Sequence, residues 1–180
     1  YFYLQNLDNI NYLTAGASFC VQSSFTGSPL QQWRFVSADP TPTGTLAASY
    51  QFEGNASDSA GSNHATTVGS PTYVSGQSGQ ALNFDGSDDY ATLPSGVANS
   101  IDVTISTWVY WNGGSAFQRI FDFGNDTNSY MYLTPSSGEG LMRFAITTGG
   151  GSGEQVLITD SLPTNQWVHL ALTLRGNLGV

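Results

Sequence analysis

The chain has 180 residues, 39% apolar and 13% aromatic, which is enough for a packed core and too much for a disordered segment. Only 9% of residues are charged: 13 acids against four cations, all arginine (Arg34, Arg119, Arg143, Arg175), giving a formal charge of −9. Without a basic stripe there is nothing to neutralise phosphates, which argues against nucleic-acid binding, and the acidic surface repels anionic membranes and acidic polysaccharides.

The apolar runs are too short to span a bilayer, so no membrane insertion is expected. Cys20 is the only cysteine. No disulfide can form within the chain, and whether Cys20 pairs elsewhere stays open. Gly, Ser, Thr and Asn fill the places that charges usually take, a profile of turns and strands with hydroxylated outer faces. The acidity itself has two readings: solubility, or a few carboxylates that bind a cation.

The chain opens on Tyr1-Phe2-Tyr3-Leu4, which reads as the inside of a strand, so the natural start is expected upstream. Through Tyr12-Leu13 and Gln31-Gln32-Trp33-Arg34-Phe35 the first 36 residues offer about four short strands, too few for a core. Residues 37–44, with Pro40 and Pro42, read as a linker. Beyond Gly44, strand-like stretches recur every 8–12 residues or so with turn residues between them, the pattern of an antiparallel sandwich or barrel. They are expected at 46–52, 80–84, 90–93, 103–111, 119–123, 130–134, 141–147, 155–158 and 167–174. Residues 149–153, four glycines and Ser152, read as a hairpin tip. In 103–111 both sides of the pleat carry large apolar groups, so this strand is expected to be covered on both faces.

Four blocks stand in order after Gly44. They are Ser49-Tyr50-Gln51-Phe52-Glu53-Gly54-Asn55, residues 79–90 (Gly79-Gln80-Ala81-Leu82-Asn83-Phe84-Asp85 onward), Val103-Thr104-Ile105-Ser106-Thr107-Trp108, and Trp167-Val168-His169-Leu170-Ala171. Together they resemble the laminin-G-like, concanavalin A-type domain of bacterial extracellular enzymes and adhesins. That resemblance implies an all-β fold, an antiparallel jelly-roll sandwich over residues 45–180. Such domains continue past the Trp-x-His strand, so further strands, from this chain's continuation or another segment, are expected to complete the sandwich. Residues 1–36 resemble the final repeat of a ricin-type β-trefoil lectin, whose repeats end in Gln-x-Trp. On that likeness Trp33 and Phe35 are core.

The two resemblances imply a carbohydrate-binding accessory region of a secreted, modular polysaccharide-active protein, with a glycan as partner. The alternative is a structural or adhesive extracellular module, a spacer or filament component. Catalysis by this fragment is not expected. Glycoside hydrolysis needs two carboxylates across the scissile bond, and the Glu-x-Asp-x-x-Glu strand motif of concanavalin-type hydrolases is absent. Glu53, Glu139 and Glu154 are isolated, and Asp88 and Asp89 would point apart if they lay in a strand. His64 sits in a polar loop, and His169 reads as a packed structural histidine. The loop at 53–61 offers Asn55 and Asp58 as calcium ligands, as the resemblance implies, or else as members of an Asx turn. For sugar, aromatic faces stack on C–H surfaces and amides bond hydroxyls. Trp111, Asn112, Asn125, Asp126 and Tyr130 cluster near two predicted loops and are the candidate ligand residues.

Overall fold

The computed structural model describes residues 45–124, 126–175 and 178–179. The expected trefoil repeat, the linker, Cys20 and Asn125 lie outside these residues. The described chain divides into two compact units, residues 45–100 and 101–179.

In residues 45–100 two antiparallel pairs form. Strand β1 (Thr66–Val68) pairs with β4 (Tyr90–Thr92), and β2 (Thr72–Ser75) pairs with β3 (Gln80–Asn83). The β2–β3 turn closes with Gly76 N–H on the Gly79 carbonyl at 2.9 Å. Gly79 has φ +61°, and a Cβ there would run into the Glu53 carboxylate. That carboxylate accepts the Gln80 N–H at 3.0 Å, so glycine is what lets Glu53 reach the turn. The strand expected at 46–52 is reduced to a single bridge, Tyr50 to Asp58. Phe52 takes a left-handed φ of 56°, which breaks any ladder there.

The second unit holds eight-residue β5 (Val103–Tyr110), β6 (Phe121–Gly124), β7 (Tyr130–Thr134), β8 (Met142–Thr147), β9 (Gln155–Thr159), β10 (Trp167–Arg175) and β11 (Leu178–Gly179). Strands β6 to β9 form an antiparallel meander joined by short turns, and β5, β10 and β11 form a second sheet in the order β11-β10-β5. All eight expected stretches after the first begin or end within two residues of an observed strand; short β1 and β2, rich in polar residues, carry too little apolar pattern to be read. The glycine run forms the expected β8–β9 tip, with a 3-10 turn at Gly151–Gly153.

The core gathers Leu170, Leu172 and Leu174 from β10, Met131 and Leu133 from β7, and Met142 and Phe144 from β8. Phe121 stacks obliquely on Phe123 and Phe144 at 5.6 and 6.5 Å. One expectation is corrected here. Strand β5 is not covered on both faces: Val103, Ile105, Thr107 and Val109 are half-buried, while Thr104, Ser106, Trp108 and Tyr110 are exposed. The pairing explains it, because the residues opposite that second side include His169 and Thr173, whose polar atoms favour water.

Candidate functional site

The register of β5 on β10 sets Tyr110 opposite Trp167, Trp108 opposite His169 and Thr104 opposite Thr173. Cross-strand partners on one face touch. The Tyr110 and Trp167 rings meet edge to face at 5.5 Å, and the Trp108 and His169 rings at 5.0 Å. Farther along the row, Ser106 Oγ lies 3.1 Å from His169 Nε2, and the Thr104 and Thr173 hydroxyls lie 3.0 Å apart. The result is a row with aromatic rings at one end and hydroxyls at the other. Trp108 keeps 50% of its surface in water and Tyr110 44%. Both rings are braced from the side by a neighbouring ring, so they are held in place for a ligand's apolar face at little further ordering cost.

On the β6–β9 sheet, by contrast, polar side chains are engaged with one another. Tyr130 Oη donates to Glu154 Oε1 at 2.6 Å, and Arg143 Nη2 donates to Glu154 Oε2. Tyr130 stacks on Tyr132 at 5.8 Å, and the Arg119 guanidinium sits 4.0 Å over the Tyr132 ring while its Nε donates to Asp122 at 2.9 Å. The hydrogen bond to Glu154, aided by lost hydration, pushes the Tyr130 hydroxyl up to about 12. Because the folded state holds this proton more tightly than the unfolded chain, stability is whole below about pH 10 and declines as pH rises toward 12. A denaturant series at increasing alkaline pH should show that decline, and Tyr130→Phe should flatten it; an unchanged slope would remove the tyrosine from the account.

The sequence-based candidates do not form one cluster. Trp111, half-buried, gives its indole N–H to Gln118 at 3.0 Å, and Asn112 next to it is exposed. Asp126 closes its own turn, accepting the Asn128 and Ser129 N–H groups at 2.6 and 3.1 Å, which lowers its carboxyl below the usual range. Tyr130 is committed to Glu154. Trp108, Tyr110, Trp167 and His169 were missed as surface residues. The available signal was the partner strand: a face that carries Thr104, Ser106, His169 and Thr173 between its aromatics is a wet face.

The candidate calcium residues share a loop whose oxygens are already engaged. Buried Asp58 accepts main-chain N–H groups from Ser49 (2.8 Å), Ala60 (2.8 Å) and Asn63 (3.1 Å). The Ser49 bond does most to lower its carboxyl below the usual range, against a partial upward push from burial. Asn55 Oδ1 accepts the Ser57 N–H at 2.9 Å, and His64 Nδ1 accepts the Asp58 N–H at 3.1 Å. These are the bonds of an Asx-type turn. Stability from Asp58 is present above its ordinary carboxyl range and is lost as pH falls through the lowered value.

A different acidic group comes together instead. Asp85, Asp88 and Asp89 place one oxygen each within 4.8 Å of one another. They lie on a turn rather than in a strand, so Asp88 and Asp89 do not diverge as alternation would require. Asp89 is anchored by the Ser70 and Asp85 N–H groups at 2.6 and 3.0 Å, and Gly69 (φ +82°) leaves room for its carboxylate. Asp85 Oδ1 accepts the Ser87 N–H at 2.8 Å, so oxygens of this cluster, like those of Asp58, also hold main-chain donors.

Residues 85–179 match the model of the concanavalin A-like lectin/glucanases superfamily (Laminin_G_3). The chain belongs to this family. Its antiparallel all-β architecture is that of a concanavalin A-like domain. Among solved structures, this Laminin_G_3 chain is similar to domain 4 of AbnA, a GH43 extracellular arabinanase from Geobacillus stearothermophilus, in complex with arabinotriose. The identity is 26% and the TM-score 0.63, covering 72% of this chain and 66% of that one. It is also similar to an S-layer domain-containing protein from Clostridium thermocellum, with 34% identity and a TM-score of 0.56, covering 73% of this chain and 65% of that one. The chain thus spans just under two thirds of each of these structures. No curated protein matches it. Among the described residues no helix is long and apolar enough to cross a membrane.

Proposed function

We propose that this chain is a non-catalytic carbohydrate-binding module of a secreted, modular polysaccharide-active protein. The observation that carries the reading is the open row of braced rings on β5 and β10, Trp108 with His169 and Tyr110 with Trp167. Its likeness to an arabinanase domain that was crystallised with arabinotriose supports a glycan as ligand and an extracellular setting. Hydrolysis would need one protonated and one free carboxylate across a bond. Glu154 has both oxygens engaged by Tyr130 and Arg143, and Asp122 is paired with Arg119. The ligand residues expected from the sequence, Trp111, Asn112, Asn125, Asp126 and Tyr130, remain part of the proposal, and Trp111 and Asn112 directly follow β5 in the chain.

Calorimetry and polysaccharide pull-down on the full chain test it, with arabinan, arabinotriose and a panel of plant and algal glycans. Binding without release of reducing ends is the expected result. Retention on none of them would favour the second reading, a structural or adhesive extracellular module, which the S-layer likeness supports.

A structural calcium is part of the same reading, and Asp85, Asp88 and Asp89 would hold it. The ion would neutralise three crowded carboxylates and so tie the β1–β4 end of its unit. Saturating calcium, at about a hundred times its dissociation constant, should then stabilise the fold by roughly 2.7 kcal/mol. Identical melting curves in millimolar calcium and in chelator would remove calcium from the reading.

A further inference from the structure

We propose that the β5–β10 row takes a neutral glycan as an extended chain lying along the strands, and discriminates against acidic polysaccharides. This rests on the glycan-binding reading above and adds the ligand's charge and its orientation.

The first ground is charge. From Thr104 and Thr173 to Tyr110 and Trp167, the residues on this face include no Asp, Glu or Arg. Acidic glycans are gripped by forked guanidinium contacts; of the arginines whose side chains are described, Arg119 is engaged by Asp122 and Arg143 by Glu154. The formal charge of −9 adds a net repulsion toward any polyanion. A neutral sugar meets no such penalty, since rings take its C–H face and hydroxyls its O–H groups without desolvating any fixed charge.

The second ground is shape. Six strand steps from Thr104 to Tyr110 make the row about 20 Å long at roughly 3.3 Å per residue. That is room for several sugar rings in line. The chemistry also changes along this length, not across it. Trp108 and Tyr110 offer stacking at one end, and Ser106 with His169 and Thr104 with Thr173 offer hydrogen bonds at the other. Each of these hydroxyls has capacity for a further bond after its cross-strand contact. A ligand crossing the sheet at right angles would use one of the two chemistries. One lying along it would use both.

The test is binding of the full chain to a length series of neutral oligosaccharides and to matched neutral and uronic-acid polysaccharides, at low and high ionic strength. Affinity should rise with length over the first few units and then level, should favour the neutral polymer, and should be insensitive to salt, because no ion pair is screened. Trp108→Ala should weaken binding on the order of tenfold or more, a single lost stacking contact being enough for that. Tyr110→Ala, at an exposed position, gives the same readout should the tryptophan variant fold poorly. Val156→Ala, exposed on the other sheet, should leave affinity unchanged. Preference for the acidic polymer, or binding that salt abolishes, would overturn the neutral-ligand claim while leaving glycan binding intact. Affinity independent of length, or unaffected by both aromatic substitutions, would overturn the placement along the row. Binding to no glycan at all would remove the underlying reading and this one together.

Discussion

Leu172→Ala should destabilise the fold by about 3–4 kcal/mol, the middle of the range for buried leucines. Leu172 is 1% exposed, sits in the middle of β10 opposite Ile105, and is flanked on its own face by Leu170 and Leu174. Its removal loses the transfer free energy of the side chain and leaves a cavity. A nine-residue strand fixed residue by residue to β5 is poorly able to collapse into that cavity. Chemical unfolding followed by far-ultraviolet circular dichroism should show an earlier midpoint at a similar slope. A loss below about 1 kcal/mol would mean that this face of β10 is not the core.

Glu154→Ala should be the most damaging change in the polar network of the other sheet, at about 2 kcal/mol, the middle of the range for orphaning buried polar groups. One carboxylate accepts from both Tyr130 and Arg143, and Arg143 Nε is already buried with no hydrogen-bond partner. Without Glu154 the guanidinium would keep still fewer of its bonds. Glu154→Gln should lose less, since the amide oxygen can still accept from Tyr130. Both changes should also bring the Tyr130 hydroxyl down from about 12 toward ordinary tyrosine, Glu154→Ala by removing the bond and the charge, Glu154→Gln less, by removing the charge alone. Ultraviolet titration of the tyrosines reads this directly. If the last tyrosine still titrates near its original position in both variants, the network is misassigned.

The strands of the second unit were legible because their patterns are strong and local. Residues 130–134 and 142–147 pack apolar side chains into hairpins closed by Asp126 and by the glycine run, and each signal lies within a few residues of what it controls. The family likewise showed in four ordered blocks. The candidate site was far less legible. Whether Trp108 faces core or water depends on His169, 61 positions away in the chain, and on the register that brings them together. Period-two alternation sorts residues into two faces but does not say which is wet when both carry aromatics. Nor does a list of acids show where their oxygens point. Three main-chain donors converge on Asp58, and Asp88 and Asp89, which would point apart in a strand, lie on a turn that brings them together with Asp85.

Asp58 and Tyr130 depart from their ordinary protonation in ways that expose them to opposite ends of the pH scale. Neutralising Asp58 in acid would release Ser49, Ala60 and Asn63 together, all within residues 45–100. Ionising Tyr130 in alkali would set two negative charges against each other on the β7 and β9 side of residues 101–179. Asp126 in residues 101–179 is likewise lowered by main-chain N–H groups, and Tyr50 in residues 45–100 is raised by lost hydration and the Asp58 charge, so each unit carries one acid-sensitive and one alkali-sensitive group.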